Sequence, residues 1–235
     1  MSFLNIKGAL AKLLATENLH VQHDGTATTA SFNPQTRVLT LPILKTEDNH
    51  VYDMFVGHEV GHALYTPVDW KDQIDENTPF DFVNVVEDAR IEKAIQDKFP
   101  GLRVDFSHGY DSLHNQDFFD IADKDVSKLS LIDRINLYFK LGARALIPFS
   151  TEEMTYVRAV DEADTFDKVV LVSKMLAEYV KAKRDDQQDT QQQMVAAPGN
   201  SEDEDDEVEP QESKPDTDNE EKESCLLYTS DAADE

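Results

Sequence analysis

Two histidines flank a glutamate in His58-Glu59-Val60-Gly61-His62, inside the longer run VGHEVGHALYTP at residues 56–67. On a helix, residues four apart differ by about 40° around the axis, so the two imidazoles project side by side. Each can then offer a ring nitrogen at about 2.0–2.1 Å to one zinc ion. Glu59, next to the first histidine, can reach a water activated by that ion without ligating it. That is the task of the general base in a metal-assisted hydrolysis. The competing reading is a core helix with two hydrogen-bonded histidines one turn apart. A third ligand decides between them, because catalytic zinc takes three protein ligands and keeps one position open.

A further histidine six residues on, as in the metzincin pattern, is absent: position 68 is Val68, and Tyr65 stands where that pattern has glycine. The next acidic candidates lie in NVVEDARIE, residues 84–92. Glu87 shares a helical face with Phe80, Val83, Ile91 and Ala94, where an unpaired carboxylate is costly and wants a cation. Glu87 is therefore the expected third ligand. An ion pair with Arg90, three residues on, is the rival use of that carboxylate and is weak on a surface. Asn84 and Asp88 share another face and are expected to orient the imidazoles, since metal-bound histidines usually donate their remaining N–H to a carboxylate or carbonyl. Asp88 as the ligand itself stays open. Downstream, SHGYDSLH offers His108 and Tyr110, either of which can stabilise an oxyanion. Plain solvation in a loop is the alternative for His108.

These residues need elements to hold them. Apolar positions at Leu4, Ile6, Ala9, Leu10, Leu13 and Leu14 predict a helix over residues 3–15. TATTASF and RVLTLPI, separated by Asn33-Pro34-Gln35-Thr36, predict a β-hairpin. Pro42 puts the second strand at an edge or an end, and an edge around Arg37 to Leu41 can hold an extended peptide by main-chain pairing. The histidine helix is expected to start near Asp48 or Asn49, turn Val51, Met54, Phe55, His58, His62 and Tyr65 inward, and end at Pro67. Thr78-Pro79-Phe80-Asp81 reads as the capped start of a helix that runs to about Lys98 and stops at Phe99-Pro100-Gly101. Further helical patterns cover residues 129–147, 151–163 and 166–184. Helix, small antiparallel sheet, then many helices is an α+β order.

HEVGHALYTP and NVVEDARIE together resemble the zincin-like metallopeptidase domains of phage and bacterial proteins that precede a von Willebrand A domain. The layout is also similar to the large subunit of aerobic cobalt chelatase, with a helical front domain, an acidic linker and a von Willebrand A domain. The likeness covers residues 20–185. It implies a gluzincin-type site with His58, His62 and Glu87 as zinc ligands and Glu59 as base, in an enzyme cutting a protein or peptide substrate. The same resemblance implies a second possibility, a non-proteolytic assembly subunit working with a AAA+ ATPase.

The formal charge is −26 over 235 residues, but it is unevenly placed. Between Asp185 and Ser224, 16 acidic and 2 basic residues leave that stretch at −14, and residues 1–184 carry −9. No basic stripe offers itself to a phosphate backbone, so nucleic acid is not an expected partner. No segment approaches the roughly 18–20 consecutive apolar residues of a membrane span, and the N-terminus lacks the features of a signal peptide. A single cysteine suits a reducing compartment, which predicts a cytoplasmic protein (host cytoplasm for a viral one). The expected organisation is a folded domain over residues 1–184 and a disordered acidic linker over 185–224, where too little apolar surface exists to offset ordering entropy. The ending CLLYTSDAADE, residues 225–235, reads as a translated sequencing adapter rather than native sequence. The native chain is therefore expected to continue past Ser224.

Overall fold

The structure, a computed structural model, describes residues 3–15, 19–27, 29–43 and 49–195. The fold is α+β. In chain order the elements are α1 (Phe3–Ala15), β1 (His20–Asp24), β2 (Ser31–Asn33), β3 (Val38–Pro42), α2 (Asn49–Tyr65), α3 (Phe80–Lys98), α4 (Leu102–Asn115), α5 (Leu131–Leu141), α6 (Glu153–Asp161) and α7 (Phe166–Val195). Among the described residues, no helix is long and apolar enough to cross a membrane.

The sheet is mixed rather than purely antiparallel. β2 and β3 form the expected hairpin, pairing Phe32 with Leu39, and Asn33 Oδ1 accepts the backbone N–H groups of Gln35 and Thr36 to fold the turn. β1, whose polar HVQHD gives little apolar signal, pairs in parallel with β3 on its other side. The strand order is therefore β1-β3-β2, and the RVLTLPI strand is central. Its main chain is bonded on both sides, so the expectation of a peptide-holding edge there is overturned. Pro42 is tolerated because it closes the strand.

α2 is the hub. Every residue from Val51 to Ala63 except Asp53 is buried, because α1, α3, α4 and the sheet all pack against this helix. A one-sided apolar stripe therefore undercounts what it buries. Polar ties fix its ends. Lys7 on α1 donates to Asp53 at 2.5 Å, Tyr52 donates its hydroxyl to the Pro42 carbonyl, and Arg37 donates to the Ala63 carbonyl. Close approach needs glycine twice on the α2–α4 face. A Cβ on Gly57 would meet Phe106 at 2.9 Å, and one on Gly109 would meet Met54 Cβ at 2.9 Å and the His50 carbonyl at 3.1 Å.

α3 lies between two apolar clusters. Ile95 joins a first core built from α1, the sheet, α2 and α4, while Val83, Val85, Val86 and Ala89 join a second core with α5, α6 and α7. Thr78 does not cap α3; its hydroxyl turns back to Asp75, and Pro79 takes the cap position. SHGYDSLH is not a loop but part of α4, whose Leu102, Phe106, Tyr110 and Leu113 are buried at helical spacing. α5 ends at Leu141, well before residue 147, because Gly142 adopts φ of 72°, a left-handed conformation that glycine takes without strain. α7 continues to Val195, past the expected boundary at Arg184, through a glutamine-rich run whose Gln and Met residues have good helix propensity. The acidic stretch beyond it and the CLLYTSDAADE ending lie outside the described residues.

Candidate metal centre

His58 and His62 stand one turn apart on α2, their ring centroids 4.9 Å apart and near perpendicular. Facing them from α3 is Asp88. Its Oδ1 lies 3.4 Å from His62 Nε2 and 3.7 Å from His58 Nε2, and one ligand atom from each of the three residues falls within 4.8 Å of the others. Ligands held tetrahedrally at about 2.0–2.1 Å from a common ion sit about 3.3 Å apart, so this spacing is that of a ligand set. All three residues are buried, at 2, 5 and 3 % exposure. Among the described residues, Asp88 Oδ1 has no hydrogen-bond partner. The His62 Nε2 contact, at 3.4 Å, is long for a hydrogen bond. A buried carboxylate oxygen without a partner is costly unless a cation meets it. The group His58–His62–Asp88 can hold a metal ion.

Glu87, the expected ligand, is committed elsewhere. Arg90 grips it with two bonds, Nε to Oε2 at 2.7 Å and Nη2 to Oε1 at 2.6 Å, and Thr66 donates to Oε1 at 2.5 Å. The pair with Arg90 is buried on both sides rather than superficial, which reverses the weighing from sequence. Asp88 thus moves from orienting the imidazoles to standing among the candidate ligands.

The outer nitrogens of both imidazoles are occupied. His58 Nδ1 meets Glu92 Oε1 at 2.8 Å, and His62 Nδ1 meets Thr66 Oγ1 at 3.0 Å. Thr66 gives its single proton to Glu87, so it must accept from His62. Glu92 Oε1 also accepts from Tyr110 at 2.5 Å and from Lys140 at 3.3 Å. Both imidazoles therefore carry hydrogen on Nδ1 and present Nε2 towards Asp88 (a relation typical of metal-bound histidines).

Lys140, from α5, completes the layer behind the ligands. Its ammonium lies 3.1 Å from Asp88 Oδ2 and 3.1 Å from the Tyr110 hydroxyl. Burial pushes the Asp88 carboxyl up, but Lys140 and the two histidines outweigh it and hold Asp88 well below the usual carboxylate range. Glu92 is shifted the same way, burial again opposed by Lys140 and His58. For Lys140, the surrounding acids overcome burial and raise its pKa well above that of a free lysine. Burial lowers His58, yet Asp88 and Glu92 leave it raised on balance. Two carboxylates and one ammonium leave a negative balance beside the imidazoles, which favours a cation.

The remaining residues fall in different places. Glu59 is buried on α2 between the histidines in sequence. Tyr110 is at the site, but its hydroxyl is spent on Glu92 and Lys140 behind His58. His108 is exposed and stacks on His50, eight residues before His58 and so about 12 Å along the helix axis. Asn84 is buried, and its Nδ2 has no hydrogen-bond partner among the described residues. It lines a niche with His62, Thr66 and Glu87 that has room for about one water.

Glu92, Thr66 and Lys140 went unnoticed in the sequence. For Glu92 a signal exists: Asn84, Asp88 and Glu92 recur every four residues and so form a polar row along one side of α3. Lys140 carries no such signal. Compared with protein-family models, curated proteins and solved structures, the chain matches none, and the geometry alone carries the functional reading.

Proposed function

We propose that this chain is a zinc metallopeptidase of the zincin type, acting in the cytoplasm on protein or peptide substrates, with His58, His62 and Asp88 as ligands and Glu59 as base. The observation that carries the reading is the partnerless Asp88 Oδ1 facing two imidazole Nε2 atoms whose other nitrogens are already engaged. Two nitrogens and one carboxylate oxygen suit zinc, which accepts three such ligands and an open position. When bound there, zinc supplies a Lewis acid and lowers the pKa of a coordinated water to about 7. Glu59, one residue from His58, holds the proton that hydrolysis moves from water to the leaving nitrogen. Glu92 and Thr66 keep the imidazoles in the ligating tautomer, and Lys140 keeps both carboxylates charged.

A second reading is favoured by one observation: the ligand group is nearly sealed, and the niche beside His62 admits about one water rather than a peptide. In that reading the ion is structural, and the chain is an assembly subunit working with a AAA+ ATPase. The full chain, purified and assayed for zinc by mass spectrometry and for cleavage of a peptide library, separates the two. The peptidase reading expects about one zinc per chain, cleavage abolished by chelator, and a Glu59→Gln variant that keeps zinc and cuts nothing. Zinc without cleavage overturns it in favour of the assembly subunit; absence of zinc overturns both.

A further inference from the structure

Lys140 is a buried lysine that no step of the proposed hydrolysis uses. Its ammonium sits between two carboxylates on neighbouring turns of α3, 3.1 Å from Asp88 Oδ2 and 3.3 Å from Glu92 Oε1, with the Tyr110 hydroxyl at 3.1 Å and the Tyr110 ring beneath it. Taking a lysine out of water is costly, so its place is maintained only by good geometry to opposite charge. Here the geometry divides the Asp88 carboxylate. Oδ2 is taken by Lys140, and Oδ1 faces His58 Nε2 and His62 Nε2 with no hydrogen bond of its own.

We infer that Lys140 is a positioning residue that restricts Asp88 to one ligating oxygen and thereby selects a four-coordinate ion such as zinc over ions that demand more oxygens. The inference rests on the metal site of the proposed function but not on its hydrolytic step. With Oδ2 reserved, the chain presents three ligand atoms: two imidazole nitrogens and one oxygen. A two-oxygen carboxylate would raise that to four and suit manganese or calcium, which are satisfied by larger oxygen-rich shells. The same ammonium braces Glu92, which sets the His58 tautomer, so one side chain governs two of the three ligands.

The test uses the full chain. Zinc and manganese affinities are measured by competition titration for wild type, Lys140→Met and Lys140→Gln, and Co2+ is titrated in as a spectroscopic probe. Wild type is expected to give the intense visible bands of four-coordinate Co2+. Both variants should lose about 10-fold or more in zinc affinity, narrow the preference for zinc over manganese, and show weaker bands as Asp88 swings in its second oxygen. A merely structural lysine would lower the melting temperature without moving the Co2+ spectrum or the zinc-to-manganese ratio. Folded variants with wild-type affinity and spectrum therefore overturn the inference. Should neither variant fold, a crystal structure of the zinc-loaded wild type decides. Asp88 bound through one oxygen with Oδ2 still on Lys140 supports it, and Asp88 bound through both oxygens refutes it. Cleavage enters none of these readouts, so a zinc-loaded chain that cuts nothing ends the peptidase reading alone, whereas a wild type that binds no metal ends both.

Discussion

Glu92 on α3 accepts the Nδ1–H of His58 on α2 at 2.8 Å, and this bond dictates which nitrogen of His58 can serve as a ligand. An ionised carboxylate can only accept, so the proton must lie on Nδ1 and the lone pair on Nε2. Nε2 is the atom that faces Asp88. Thr66 and Glu87 do for His62 what Glu92 does for His58, through one more hydroxyl. α2 supplies the nitrogens and α3 the oxygen together with the carboxylates that orient both imidazoles, while α5 contributes the ammonium that balances α3.

Replacing Glu92 tests that division of labour. Glu92→Ala removes the acceptor for His58, Tyr110 and Lys140 at once and leaves the imidazole free to turn. Zinc affinity is expected to fall by about 10–100-fold, while His58→Ala, which deletes a ligand, should abolish stoichiometric zinc. Competition against a chromophoric chelator measures both. Equal affinity in Glu92→Ala and wild type would show that the His58–Glu92 bond plays no part in binding.

Asp88 and Glu87 are adjacent but predicted to fail in opposite ways. Asp88→Asn keeps the shape and removes the anionic ligand, so zinc should be lost. Glu87→Ala leaves Arg90 buried without its partner, which costs about 3–5 kcal/mol of stability, while zinc binding weakens only through the Thr66 link to His62. Mass-spectrometric zinc content and chemical denaturation together give the comparison. Loss of stoichiometric zinc in Glu87→Ala with retention in Asp88→Asn would restore Glu87 as the ligand.

The reason Glu87 looks the better ligand from sequence is that α3 breaks the assumption behind face-counting. Periodicity separates inside from outside only when a helix has an outside. All ten residues from Val83 to Glu92 are buried, so an apolar stripe through Phe80, Val83 and Ile91 does not mark the side facing the histidines. Phe80, counted on that stripe, is itself 44 % exposed. The local facts were legible: the histidine pair, the hairpin turn at Asn33, and the stop at Pro67 each depend on residues a few positions apart. Lys140, 52 residues from Asp88, depends on how α5 crosses α3, and no short stretch encodes that. α4 is hard to read from sequence for a similar reason: Gly109 in mid-pattern lowers its helix propensity, yet that glycine is what lets α4 approach α2.

Gly109 carries its own prediction. A methyl group there would lie 2.9 Å from Met54 Cβ and 3.1 Å from the His50 carbonyl, neither of which can swing aside as a side-chain tip can. Gly109→Ala gains helix propensity of roughly 1 kcal/mol, but overpacking a tight contact costs typically about 1–3 kcal/mol, and burial at the helix crossing makes the second effect win. The expected outcome is a lower melting temperature. An unchanged or higher melting temperature would mean that α4 can shift away from α2 without loss.

Away from the metal site, Arg134 and Glu153 form a partly buried ion pair between α5 and α6 that predicts how stability responds to acid. The Arg134 hydrogen bonds, helped by the Ser150 backbone N–H, hold the Glu153 carboxyl below its ordinary value of 4.5 despite some burial. Because the folded-state pKa is depressed, the unfolded chain takes up a proton first as pH falls. The pair's stabilisation is therefore fully present above the ordinary carboxyl pKa and is lost as pH drops through the folded-state value. Glu153→Gln should lower stability at about pH 7, and its deficit relative to wild type should shrink on going from about pH 5 to about pH 3. Urea denaturation of both proteins across that range measures the difference. A deficit that stays constant with pH would mean that the Glu153 charge contributes nothing and that only its packing matters.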